Sequence, residues 1–159
     1  MSKSIEEQIR EGGFYVTTTV GVSMKPMLRN RRDRVVIRPV TVERLSRLDV
    51  VLYRAPGGEK YLLHRIVGET DDGRYIIRGD NTYRREYVPH EQILGVLSEF
   101  YRGDRHVEVT DRGYRRYAAF WNAIYPIRKI CHLPRFWGSK IKRRLKKQSA
   151  PTQNFDITE

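Results

Sequence analysis

At 159 residues and 39% hydrophobic content, the chain is long enough for one core-bearing domain, alone or with an appendage. Its net charge of +12 is unevenly placed, for twelve Lys and Arg and no Asp or Glu lie between Arg112 and Lys147, leaving 19 basic against 19 acidic residues elsewhere. The single cysteine, Cys131, excludes an intramolecular disulfide, and no run approaches the roughly 20 apolar residues of a spanning helix.

The N-terminus, MSKSIEEQIREGG, has no apolar core of the kind a signal peptide needs, and residues 4–11 read as a short amphipathic helix ending at Gly12-Gly13. Phe14 to Val20 is rich in threonine and valine, which predicts a strand, and Arg34 to Arg38 predicts another closed by Pro39. Two hairpin-like units follow. Asp49–Arg54 and Lys60–Val67 flank Ala55-Pro56-Gly57-Gly58, and Leu63–Gly68 and Arg74–Arg78 flank Asp71-Asp72-Gly73. Glycine supplies the positive φ that such tight turns require. Ile93 to Tyr101 predicts a further strand after Pro89. Short strands with turn residues between them predict a small, mainly antiparallel β-body over residues 14–110, with residues 1–13 as a lead-in. From residue 111 the pattern becomes helical, over Tyr114–Lys129 and Phe136–Lys147, broken near Leu133-Pro134. Residues 148–159 are polar and expected to be disordered.

Three residues carry candidate chemistry. Ser23 lies in Gly21-Val22-Ser23-Met24-Lys25-Pro26-Met27-Leu28, a constrained loop between two strands. A serine hydroxyl becomes a nucleophile only when a base takes its proton and backbone amides hold the resulting oxyanion. His64 stands mid-strand, 41 residues on, and a neutral imidazole suits the base role at neutral pH. Lys60 shares its strand face but sits roughly 13 Å away at about 3.3 Å per residue, so only one of the two can reach Ser23. Asp80, after Gly79, either supports His64 or caps the turn into Asn81. Each residue alone has an ordinary structural explanation. His90, His106 and His132 have no ligand-like spacing, so no metal or other cofactor is expected.

The words around these residues resemble the conserved boxes of the type I signal peptidases. SMKPML is similar to their nucleophile box and LDVVLYR to the strand after it. HRIVGE is similar to the base-carrying strand, RGDN to the glycine-aspartate box, and YVPHEQILGVL to the strand that closes the catalytic β-domain. Together they span about residues 14–101 in the family's order. Where bacterial members carry lysine, His64 resembles the endoplasmic-reticulum and archaeal branch. The resemblance implies a barrel-like β-domain and a serine endopeptidase, with Ser23 as nucleophile, His64 as general base and Asp80 as supporting acid. It also implies an extended peptide substrate lying over Gly21, Val22, Met24 and Pro26, with shallow pockets for small side chains. Three departures stand out. No membrane anchor precedes the boxes, and Gly21 has no side chain to assist an oxyanion hole. The branch's further aspartate is also missing, Glu86 being the one substitute within Thr82–Glu86.

The basic run over residues 114–147, with its interleaved Tyr, Phe and Trp, has three readings: an anionic membrane surface, a helical face packed on the β-body, or a nucleic-acid patch, ranked last. The expected location is therefore cytoplasmic, or peripheral at the cytoplasmic membrane. The competing function is a non-catalytic peptide- or nucleic-acid-binding module on the same β-scaffold.

Overall fold

The computed structural model describes residues 4–55 and 60–131, and the chain there is mainly β. The Pro56-Gly57-Gly58 turn, the helix expected over Phe136–Lys147 and the C-terminal dozen residues lie outside the described residues. Helix α1, Ile5–Gly12, begins where Ser4 and Glu7 form a reciprocal cap: Glu7 N donates to Ser4 Oγ at 3.2 Å and Ser4 N to Glu7 Oε2 at 2.9 Å. It ends at Gly13 in the left-handed region, φ 70°, and buries Ile9.

Strands β1 (Tyr15–Thr18), β2 (Arg34–Arg38), β3 (Val50–Arg54), β4 (Tyr61–Glu69), β5 (Tyr75–Arg78), β6 (Glu86–Val88), β7 (Ile93–Arg102) and β8 (Arg105–Glu108) form one antiparallel sheet. The order is β1-β2-β7-β3-β4-β5-β6, with β8 paired to β7, so β1 is an edge. Register shifts at Val36/Ile37, Leu52/Tyr53 and Ile66/Gly68 mark bulges, which increase twist and curl the sheet into a half-barrel. All six expected strands are present, with bounds that agree to within a few residues. Two were not anticipated: β6 is only three residues long, and β8 reads Arg-His-Val-Glu, too polar for the pattern. Gly103, φ 63°, supplies the turn that folds β8 back onto β7, setting Val107 beside Phe100.

The period of two along the strands separates two cores. Val50, Leu52 and Leu63 join Met24, Leu28, Val35, Ile37 and Leu97 on one face. Val51, Tyr53, Ile66, Tyr75, Ile77 and Val88 fill the other. His64 pairs with Val51 and shares its face, while Arg65 pairs with Val50 and projects toward the first core. Helix α2, Arg112–Ala123, stops at a turn at residue 124, and residues 125–131 are helical again, so the helix expected over Tyr114–Lys129 is present but interrupted. Pro126 lacks the N–H that would donate to residue 122, so the helical ladder lapses there. Its Tyr114 and Ala118 are buried in the first core, and the compact unit runs through Ala123. Residues from Ile124 onward belong to a second unit. Among the described residues no helix is long and apolar enough to cross a membrane.

Candidate active site

Residues 19–33 join β1 to β2 and carry Ser23. Polar bonds close this segment on itself. Thr19 N donates to Asp33 O at 3.1 Å, Arg31 N to Thr19 O at 2.7 Å, and Gly21 N to Asn30 Oδ1 at 2.7 Å. The Asp33 carboxylate is fully buried and accepts from Arg29 N at 2.7 Å and Arg29 Nε at 2.9 Å. Apolar residues then pin the loop down: Met24, Met27 and Leu28 are all buried, and Leu28 N donates to Met24 O at 3.0 Å in a single helical turn. Their 3-and-4 spacing in the sequence is what lets one turn bury all three while leaving Val22 and Lys25 outside.

Ser23 is half-buried at the wall of a cavity of about 220 Å³. That cavity runs under β1, where Tyr15, Thr17 and Thr18 line it, to a floor of Met24, Leu28, Val35, Ile37, Leu52 and Leu63. It is larger than the shallow pockets expected. Gly21, at φ 107°, also lines it. Val22 is exposed, and its carbonyl accepts from Asn81 Nδ2 at 3.2 Å. Pro26 lines a separate cavity of about 230 Å³ with Phe100, Arg102 and Tyr117. The turn from Ser23 to Leu28 carries it around to that side. The amides of Ser23 and Met24 donate to no described residue, leaving both N–H groups as candidate oxyanion donors.

His64 is buried, 7% exposed, and meets the Ser23 loop at Gly79. A Cβ built on Gly79 would lie 2.7 Å from Ser23 O and 3.1 Å from His64 Nε2. Those two distances place Ser23 O and Nε2 within about 5.8 Å of one another. Asn81 N donates to the same Ser23 carbonyl at 2.7 Å, so the turn after β5 is bonded to the nucleophile loop. No hydrogen bond joins the Ser23 hydroxyl to Nε2 in the free chain, a contact that catalytic sites often complete only with substrate bound. Lys60 is exposed at the foot of β4, where its carbonyl accepts from Ala55 N at 2.8 Å.

The other imidazole nitrogen faces Glu86, the substitute acid, through Tyr53, a partner the sequence did not disclose. Tyr53 Oη lies 2.9 Å from His64 Nδ1 and also donates to Glu86 Oε2, while Nδ1 stands 3.8 Å from that carboxylate. Burial pushes the His64 pKa below its ordinary value of about 6.5, against the opposing pull of Glu86 and Asp80. Burial and the Glu86 carboxylate push the Tyr53 phenol well above its usual value, so it stays protonated.

Asp80 is buried too, but its carboxylate faces Arg65. Arg65 Nε and Nη2 donate to Oδ1 and Oδ2 at 2.7 and 2.8 Å, Tyr117 Oη adds a bond at 3.3 Å, and Trp121 Nε1 donates to Asp80 O at 3.0 Å. Of the support expected from Asp80, its carboxylate bonds go to Arg65 and its charge acts on His64. Alternation on β4 sends His64 and Arg65 to opposite faces, and the carboxylate followed the charge. Asp80 reaches His64 only as a field. In the basic run, Tyr114, Tyr117 and Trp121 pack on the β-body around the Arg65–Asp80 pair, and Phe120 is exposed.

A stability change follows from the buried imidazole. Its folded pKa lies below its unfolded one, so the unfolded chain binds the extra proton first as pH falls from about 6.5. The neutral ring therefore carries no penalty above pH 6.5, and stability declines as pH drops from there through the folded pKa. Comparing urea midpoints at pH 7.5 and 5.5 for the protein and for His64→Gln should show a smaller drop in the variant; equal drops would refute it.

No protein-family model and no curated protein matches this chain.

Proposed function

We propose that the chain is a serine endopeptidase of the signal-peptidase-like class, acting through Ser23 and His64. One observation carries the reading: the Ser23 loop and His64 Nε2 converge on a glycine that has no side chain to keep them apart. In this mechanism Ser23 Oγ attacks a peptide carbonyl and His64 Nε2 takes its proton. The tetrahedral oxyanion draws on the amides of Ser23 and Met24. Collapse breaks the C–N bond, His64 returns the proton to the leaving amine, and water then hydrolyses the acyl-enzyme by the same route. The substrate adds as a strand beside β1, the free edge that leads to Ser23, and sets an apolar side chain in the adjoining 220 Å³ cavity.

A fluorophosphonate probe followed by peptide mapping tests the reading. Labelling at Ser23 is expected, with complete loss in Ser23→Ala and a loss of at least about 10⁴-fold in the rate for His64→Ala, both variants remaining folded by circular dichroism. Absence of labelling, together with salt-sensitive binding of DNA or peptide, would favour the non-catalytic module instead.

A further inference from the structure

We propose that Tyr53 is the positioning residue of this site: its hydroxyl donates to Glu86, accepts from His64 Nδ1–H, and so fixes the tautomer whose Nε2 lone pair faces the Ser23 loop. This rests on the Ser23–His64 reading and gives a role to Tyr53, which stands in the LDVVLYR segment with no function yet assigned to it.

The available protons fix the direction of each bond. A phenol has one proton to donate, and an ionised carboxylate only accepts. Tyr53 Oη is bonded to Glu86 and to His64 Nδ1 at once, and the 3.8 Å between Nδ1 and Glu86 is too long for a direct bond. If the phenol gave its proton to Nδ1, its oxygen and the Glu86 oxygen would face each other as two acceptors with no hydrogen between them. With the proton directed to Glu86, every contact is satisfied, and Nδ1 must carry the imidazole's own hydrogen. The neutral ring then has its basic site at Nε2, the atom beside Gly79 and the nucleophile loop. The arrangement is rigid. Tyr53 is fully buried, it lies one diagonal step from His64 on the paired strands β3 and β4, and the two rings sit 6.0 Å apart.

During the reaction the proton from Ser23 Oγ arrives at Nε2 and leaves with the amine. The Nδ1 proton and the Tyr53 proton stay where they are, and Glu86 remains a carboxylate. Its negative charge, 3.8 Å from Nδ1, stabilises the imidazolium while that cation exists. Asp80 cannot take this place because Arg65 holds both of its oxygens.

Long-range ¹H–¹⁵N correlation of the His64 ring at pH 7.5 reads the tautomer directly. The native protein should show a protonated Nδ1 and a bare Nε2. Tyr53→Phe should lose that pattern in favour of Nε2–H, and its rate of fluorophosphonate labelling should fall by at least about 10²-fold, since the wrong tautomer can cost up to about 10⁴-fold. Glu86→Gln, whose amide can donate to the phenol and reverse its direction, should move the ring signals the same way even if Tyr53→Phe does not fold. A native Nε2–H form, or an Nδ1–H form indifferent to both substitutions, overturns the proposal whether or not Ser23 reacts. A native Nδ1–H form that depends on Tyr53, with Ser23 inert to the probe, overturns the peptidase reading instead.

Discussion

Replacing Asp80 by alanine is expected to lower the stability of the protein by about 3–5 kcal/mol, a large part of the 5–15 kcal/mol typical of a domain. The Arg65 side chain is 1% exposed and its Asp80 partner 5%, so the substitution strands a guanidinium where water cannot reach it. Tyr114 Oη and Leu48 O would still accept from Arg65 Nη1, but neither carries a charge. Urea unfolding at pH 7.5 measures the loss. The double variant Arg65→Met/Asp80→Ala should recover part of it, because removing both members deletes the unpaired charge along with its partner. This separates two roles that the sequence leaves indistinct. An acid that only supports catalysis would lose activity on substitution while the unfolding midpoint stayed put; an unchanged midpoint would refute the structural role assigned here.

Why Asp80 was legible as a special residue but misleading as to its role follows from the neighbouring positions. His64 and Arg65 are adjacent in the chain, and a Gly-Asp turn after β5 can in principle serve either. Strand alternation alone says that the two point to opposite faces; it does not say to which face a carboxylate just past the end of the next strand will swing. The field of a buried guanidinium decided that, and its burial depends on α2, whose Tyr114 and Tyr117 close over it. Aromatic residues in a basic run gave no hint of which partner they served. Tyr53 was nearer to hand. Centring the expected hairpin turn on Gly57-Gly58 and counting outward pairs Arg54 with Tyr61 and Val51 with His64, which is the register found, and it places Tyr53 on the face of His64. Glu86 was visible as a substitute acid, yet the three-residue strand that aims it, paired at Ile77, was too short to carry a periodic signal. The main strands were readable because β-branched runs and turn glycines mark them, whereas β8 forms only because Gly103 returns it to an already ordered β7.

Gly79→Ala should disable the site with a single methyl group. The new Cβ would stand 2.7 Å from Ser23 O and 3.1 Å from both His64 Nε2 and Cδ2, distances at which something must move. Three features make that movement costly. The Ser23 carbonyl is backbone, and Asn81 N holds it at 2.7 Å. Its loop is tied to Thr19, Asn30 and the buried Asp33. The imidazole, for its part, is held from behind by Tyr53. Overpacking a well-filled site costs about 1–3 kcal/mol, so the variant should still fold, with a lower melting temperature. Its chemistry should suffer more, because a displacement near 1 Å between nucleophile and base is worth about 10²-fold in rate. Fluorophosphonate labelling measured on folded protein should therefore fall by about that factor, and the His64 ring resonances should shift. The neighbouring Asn81→Ala provides the contrast, since it loses only the side-chain bond to Val22 O and keeps the backbone bond that locates Ser23. Full labelling in Gly79→Ala would mean that the serine and the histidine do not work across this glycine at all.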